Sequence, residues 1–458
     1  MNITEQLAAF TSGLQPGDLS AELAERARFL LLDLVGNAVR ARHDSESTPS
    51  LLAAVRAMGL GLGEARVFAD PVGYAPAGAV LVNGTLAHSL DFDDTHAAAI
   101  LHPGATVIPA ALAAAEISGA SGAELLAAIV AGYEVALRLA LALPAGAHYD
   151  RGFHPSATCG AFGAAAAAAR AFRMDAAATE HALGIVLSQS AGSLQFLANG
   201  AWTKRFQVGW ASMAGFAAAT LAREGFKGAA QPIEGKHGFL RSYAPAPEPE
   251  RVLQNIGVEW ELMRTGVKPY PSCRWGHAGI DAAIALRAEL GLTAETIDAV
   301  TLGISRAGIL LIGEPVQKKL NPANIVDAQF SGPFVVAVAL LNGKMEWDSY
   351  RQLGDPSVRT LMQRVSCEND PDMEAEFPVN MSGKLTVKSG DQVFVRSVIV
   401  PKGEPTNFLT EIELRGKFSG LVDNVLGVEA SERLAEAVLG IHRLNHGASM
   451  MRHGGVVL

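Results

Sequence analysis

A mainly α-helical protein carrying a smaller α/β unit is the fold class this sequence predicts, and three observations predict it. From the N-terminus to about residue 265, long Ala/Leu-rich segments place apolar residues three and four apart, the spacing of one helix face. After Lys268 the pattern turns to alternating and β-branched runs. Beyond Pro401 and Pro405 helical spacing returns. The economical arrangement is a helical domain built from residues 1–267 and 405–458, an inserted α/β domain at 268–404, and a cleft between them.

Residues 22–39 are the first long amphipathic segment. Gly59, Gly61 and Gly63 follow a helix-like stretch and fit neither a dinucleotide fingerprint nor a phosphate loop, so they read as a turn. Residues 77–87 mix Ala, Leu and Val with small polar residues, as a buried helix does, and this helix is expected to run on to Thr95. Further helices are predicted over 109–117, 122–143 and 211–224. The alanine run 164–169 combines high helix propensity with small volume, which lets a helix sit deep between others. In the inserted part, 297–304 alternates like a half-buried strand, and 384–387 and 393–400 are β-branched runs around a Ser389-Gly390-Asp391 turn. Residues 429–444 are the clearest of the closing helices.

At 458 residues, 49% of them hydrophobic and 18% charged, the chain has the size and composition of a globular enzyme. Its greasiest stretch, 125–143, is interrupted by Glu134 and Arg138, so no run reaches the roughly 18 apolar residues of a membrane span. Met1-Asn-Ile-Thr-Glu-Gln6 lacks the basic and apolar regions of a signal peptide, which makes the cytosol the expected location. Cys159, Cys273 and Cys367 stand far apart, which argues against a disulfide framework, an iron-sulfur cluster or a structural zinc. A net charge of -9 without a basic run argues against nucleic acid as a partner.

Chemistry concentrates between His88 and Gly104. Three aspartates (Asp91, Asp93, Asp94), three histidines (His88, His96, His102), Ser89 and Thr95 crowd into this short piece of an otherwise apolar region. A helix continuing to Thr95 would set Asp91 and Thr95 on one face with Asp94 beside them, before Pro103 and Gly104 break it. A solvated, self-capping helix end is the plainer alternative. Three other segments compete. His154 precedes Pro155 at a helix start, near unsatisfied backbone donors that favour anions. Lys204 and Arg205 sit among apolar neighbours just before a small-residue helix, where an exposed face is the usual explanation. Around the inferred domain junction, Pro269 and Pro271 stiffen a segment carrying Lys268, Tyr270, Cys273, Arg274 and His277; a rigid structural hinge competes there with a binding role.

Together these residues resemble a known family. Leu90-Asp-Phe-Asp-Asp-Thr95, His102-Pro-Gly104, Gly132-Tyr-Glu134, Phe153-His-Pro155, Thr203-Lys-Arg205 with Gly209, Glu234-Gly235, Lys268-Pro-Tyr-Pro-Ser-Cys273 and Asp327-Ala-Gln-Phe-Ser331 occur in the order seen in the MmgE/PrpD family. Its members include 2-methylcitrate dehydratase, cis-aconitate decarboxylase and iminodisuccinate epimerase. The resemblance implies a large helical domain made by both chain ends, a smaller α/β lid and a homodimer. It also implies a site that works without metal or organic cofactor. Catalytic and substrate-binding roles carry over to Asp91, Thr95, His102, His154, Lys204 and Lys268. Three departures concern the substrate and the reaction, the first being a segment between Thr95 and His102 slightly longer than in the decarboxylase. No tyrosine lies between Tyr270 and Tyr350 to match the lid tyrosine of the decarboxylase, and Gln207 stands where many members have histidine.

On that basis the expected function is a cofactor-independent lyase, dehydratase or decarboxylase, acting on a small di- or tricarboxylate. An epimerase using the same acid/base groups and a non-catalytic carboxylate-binding protein are the alternatives. Lys204 and Lys268, with Arg205, Arg274, Tyr270, Cys273 and His277 as further binding candidates, would neutralise and orient the carboxylates. His102 and His154 are the acid/base pair, in either order, since imidazole transfers protons near neutral pH. Asp91 would orient an imidazole, Thr95 would donate a hydrogen bond, and Asp93 and Asp94 would do no more than cap, pair or support the loop.

Overall fold

The computed structural model describes residues 1–452 apart from 292 and 294. Two compact units emerge: Met1–Gly266 together with the chain from Glu411 onward, and Val267–Thr410. Described strands are few and short against the helices, so the chain is mainly α with a smaller α+β part. No described helix is long and apolar enough to cross a membrane.

The first unit is a stack of buried helices whose ends follow local chemistry. Ser20 accepts a hydrogen bond from Leu23 N at the start of Ala21–Asp44, and Ser121 forms a capping box with Glu124 at the start of Gly122–Leu141. Gly119 closes Gly104–Ser118 in the left-handed region that glycine adopts without strain. Small residues then set the packing. Every alanine of the 164–169 run is fully buried within the helix Pro155–Ala171. Where that helix meets Gly122–Leu141, a Cβ on Gly132 would lie 2.7 Å from the Gly163 carbonyl. Helices Pro76–Ala87 and Thr203–Arg223 approach as closely, because a Cβ on Gly209 would lie 2.2 Å from Thr85 Oγ1. The closing helix Glu411–Leu426 packs on Ala21–Asp44. Its Lys417 pairs with buried Asp33 and donates to the Phe92 carbonyl at 2.8 Å.

One local expectation fails here, and one pair of strands lies outside the sequence expectations. The helix beginning at Pro76 stops at Ala87 and does not reach Thr95. Residues 88–90 turn, and Asp91 adopts a φ of 53°, a left-handed angle that ends helical continuation and that aspartate tolerates better than most residues. Asp91 and Thr95 therefore share no helix face. Strands β1 (Ala65–Arg66) and β2 (Gly73–Tyr74) form a small antiparallel pair after the glycine turn; two residues apiece are too few for alternation to announce them.

The second unit is built on a four-stranded sheet of order β4-β3-β5-β6, from β3 (Ala299–Ile304), β4 (Val365–Asn369), β5 (Gly383–Ser389) and β6 (Gln392–Val398). β3 runs parallel to β4 and antiparallel to β5, which pairs antiparallel with β6 through the turn at Gly390. Leu302, Ile304, Leu385 and Val387 bury one face, and helices His277–Leu290 and Gly332–Asn342 pack on the sheet. The described part of the closing region holds Val428–Leu439 and a short 3-10 turn at Ile441–Arg443, where the sequence suggested one helix over 429–444.

Candidate active site

Once the helix ends at Ala87, residues 88–104 fold as a compact loop. Asn37 and Lys417 both donate to the Phe92 carbonyl, and the Phe92 ring is buried beneath the Lys417 ammonium, 3.7 Å from its centroid. This anchorage pins the centre of Asp91-Phe92-Asp93. Thr95 forms a two-way backbone bridge with Gly266, His96 forms one with Leu101, and the backbone of His102 donates to Ser156 Oγ. His96 is consumed structurally. Its Nδ1 accepts from Ala99 N, and its Nε2 faces Glu261 at 3.2 Å.

The carboxylate at the heart of the loop is Asp93. Its Oδ2 accepts from His88 Nδ1 at 2.8 Å and lies 3.5 Å from His102 Nδ1, which also has Thr95 Oγ1 at 3.4 Å. Burial opposes its charge, but the His88 and His102 imidazoles and the His88 hydrogen bond overcome that penalty and hold the carboxyl well below the usual range. Neighbouring Asp94 moves the other way. Burial and the Asp93 charge raise it well above an ordinary carboxyl, although Tyr133 Oη donates to it at 2.8 Å and Gly104 N at 3.1 Å. Two adjacent aspartates thus differ in kind: Asp93 is the ionised partner of two imidazoles, and Asp94 ties the start of Gly104–Ser118 to Tyr133. The sequence reading reserved the imidazole-orienting role for Asp91. In the structure Asp91 lies 3.0 Å from Lys204 Nζ, at the start of Thr203–Arg223, and Asp93 is the residue that bonds an imidazole.

Three imidazoles gather here. The His88 ring stands 4.7 Å from that of His102 and 6.2 Å from that of His154. His88 is fully buried, and its Nε2 and the second oxygen of Asp93 lack hydrogen-bond partners among the described residues. His154 caps Pro155–Ala171 through its backbone. Its Nδ1 meets Gln207 Nε2 at 2.7 Å. Burial first, then the charges of His88, Lys204 and His102, hold the His154 ring well below the ordinary histidine value. His88, Asp93 and His102 also offer three ligand-type atoms within 4.8 Å of one another, a spacing a divalent ion could bridge. His88 Nδ1 and Asp93 Oδ2 already share a hydrogen bond.

The other sequence candidates fall elsewhere or hold structural partners. Arg205 donates to Ser45 and Ser47 hydroxyls at 3.0 and 3.3 Å, which anchors the turn after Ala21–Asp44. Lys268, Tyr270, Cys273, Arg274 and His277 belong to the second unit. There Tyr270 Oη donates to Asp281 at 2.5 Å, Arg274 pairs with Glu404, His277 Nε2 lies 3.3 Å from the Ser272 carbonyl, and Cys273 caps the short 3-10 turn Arg274–Gly276. Within the first unit the structure brings together Asp91 with Lys204 and Thr95 with His102, and sets His154 beside His88. Sequence reading assigns His88 no role and Asp93 only a supporting one; both lie in the flagged cluster, and the structure pairs them. A cavity of about 600 Å³ lined by Ser193, Phe196, Phe206, Gln207 and Trp210 opens beside the His154–Gln207 pair. A larger one of about 1150 Å³, lined in part by Arg66, Glu116, His446 and Arg452, shares no residue with the imidazole cluster.

Comparison with known proteins matches the MmgE/PrpD N-terminal domain over residues 5–252 and the MmgE/PrpD C-terminal domain over residues 270–443. The chain belongs to the MmgE/PrpD family. This family member is similar to a cis-aconitate decarboxylase-like protein of Aspergillus oryzae, at 26% identity over 96% of this chain and 94% of that relative. It is also similar to the cis-aconitate decarboxylases of Homo sapiens, 28% identical over 97% and 92% of the two chains, and of Aspergillus terreus, 24% identical over 96% and 94%. The MmgE/PrpD N-terminal match contains every member of the imidazole cluster and Lys204; Lys268 falls between the two matched spans.

Proposed function

We propose that this MmgE/PrpD protein is a lyase that breaks a carbon-carbon bond of a small unsaturated polycarboxylate of the cis-aconitate type, using its own side chains. One observation carries the reading: a buried, ionised Asp93 orders the His88 and His102 imidazoles beside His154 and the Lys204–Asp91 pair. Loss of carbon dioxide leaves an electron pair conjugated with a remaining carboxylate, and an imidazolium then delivers a proton to that carbon. Lys204 engages substrate carboxylates, and the family motif gives Lys268 a carboxylate-binding role. Full-length similarity to proteins named as cis-aconitate decarboxylases supports decarboxylation ahead of dehydration.

The test is incubation with cis-aconitate, 2-methylcitrate, citrate and iminodisuccinate in deuterated water, followed by product NMR. The expected result is loss of one carboxylate with one deuterium gained on carbon in the product. Deuterium at a stereocentre with all carboxylates retained would replace the lyase with an epimerase, and binding without turnover would make the chain a carboxylate-binding protein.

A further inference from the structure

The pairing of His154 with Gln207 divides the acid/base labour between the two candidate histidines. Gln207 is held at both ends of its amide by one residue: Ser193 N donates to Oε1 at 2.9 Å, and Nε2 donates to the Ser193 carbonyl at 3.2 Å. Turning the amide over would set donor against donor and acceptor against acceptor, so its orientation is fixed. Ser193 is itself placed by the bridge between Phe153 and Ser193 and by the bond from His154 N to the Gly192 carbonyl at 3.2 Å. The group facing His154 Nδ1, 2.7 Å away, is therefore an amide N–H. An N–H can only donate, so Nδ1 must keep its lone pair.

We infer that Gln207 is a positioning residue that fixes His154 as the neutral imidazole with its proton on Nε2, so that His154 donates a hydrogen bond to the substrate and proton transfer falls to His102. The inference rests on the lyase reading for its substrate and deepens that reading by separating the two roles. Burial and the surrounding charges, which disfavour imidazolium at His154, point the same way. His102 has the opposite setting. The Asp93 carboxylate and Thr95 hydroxyl lie beside its Nδ1, so Nδ1 carries a proton and Nε2 is the basic nitrogen. A carboxylate behind the ring stabilises imidazolium as it forms, whereas an amide N–H behind the ring opposes it. A neutral donor stabilises charge building on a substrate oxygen without giving up its proton, and His102, loaded with a solvent proton on Nε2 beforehand, can deliver it to carbon after carbon dioxide leaves.

The experiment is ring-nitrogen NMR of protein carrying 15N-histidine, at neutral pH and without substrate, with the His154 signals identified by their loss in His154→Ala. Wild type is expected to show a protonated Nε2 and an unprotonated Nδ1 at His154. Gln207→Glu places an acceptor behind the ring and is expected to move the proton to Nδ1, with kcat falling about tenfold or more and KM changing less. Gln207→Leu, which removes the donor without adding an acceptor, is expected to give a mixture of the two tautomers. A proton on Nδ1 of wild-type His154, or a charged ring, overturns the inference; so does a Gln207→Glu protein with the tautomer reversed and kcat intact. Because the spectrum is read without substrate, absence of turnover would sink the lyase reading and leave the tautomer to be judged separately.

Discussion

Replacing Asp93 by asparagine removes one charge from the centre of the imidazole cluster while keeping the volume, and the structure sets the size of the effect. Oδ2 stands 3.5 Å from His102 Nδ1, and the Asp93 side chain is 1% exposed. A full unit charge at that separation contributes about 5 kcal/mol at an effective dielectric of about 20, as an upper bound. Imidazolium spreads its charge over two nitrogens and His102 keeps a little solvent contact, which reduces the effect to about 2–3 kcal/mol. That energy favours the cationic His102 that delivers the proton, so its loss lowers the fraction of enzyme carrying the imidazolium and falls on kcat, by about 30- to 150-fold. KM should change by less than a few-fold, because Asp93 lies behind the imidazoles. Steady-state decarboxylation followed by product NMR, with melting curves to confirm folding, reads both quantities. Asp91→Asn is the control: its partner is Lys204, so its effect should enter mainly through KM. A folded Asp93→Asn protein with more than a third of wild-type kcat would refute the reasoning, as would an effect that appears only in KM.

Three other perturbations probe the site and its scaffold. Lys204→Met and Lys268→Met should each raise KM by about 10- to 100-fold, the worth of a hydrogen bond between charged groups, and unchanged KM in both would remove them as carboxylate contacts. Burial outweighs the Arg138 guanidinium 2.8 Å away and raises the Glu134 carboxyl from 4.5 to about 7, so the folded chain holds a proton that the unfolded chain releases. This group therefore lowers stability as pH rises between those values; urea unfolding at intervals across pH 4.5 to 7 should show the decline, and an equal slope in Glu134→Gln would reject it. Gly209→Ala would place a Cβ 2.2 Å from Thr85 Oγ1 and 2.6 Å from the Leu81 carbonyl, forcing two helices apart. The expected cost is about 1–3 kcal/mol, seen as a fall of a few degrees in melting temperature, and an unchanged midpoint would show that the helices part freely.

Much of the fold was legible because its signals are local. Apolar spacing marked the helices, alternation marked β3, β-branched runs marked β5 and β6, and the alanine run 164–169, fully buried, marked a helix of close approach. Strand β4 escaped notice: Val365–Asn369 is five residues long, exposes most of them, and alternates only over Val365-Ser-Cys-Glu368, too short a run to stand out. At the site, the crowding of Asp, His and Thr between residues 88 and 102 pointed to the segment where the imidazoles gather, but not to the carboxylate that bonds His88. A helix pattern extended past Ala87 paired Asp91 with Thr95 and left Asp93 a bystander. The left-handed backbone at Asp91 reverses that order, and the chain stays in that turn because Asn37 and Lys417 hold the Phe92 carbonyl.

Sequence alone determined the family, the fold class and the group of residue types from which a proton-transfer site can be made, since composition, spacing and ordered motifs are properties of the chain itself. Only the tertiary structure decided which atoms meet. Lys417 is 325 residues from Phe92, and Gln207 is 53 from His154, so no periodicity links either pair. The protonation of a buried imidazole depends on whether a carboxylate or an amide N–H stands behind it. Two histidines of equal standing in the sequence become unequal when Asp93 is folded behind one and Gln207 behind the other.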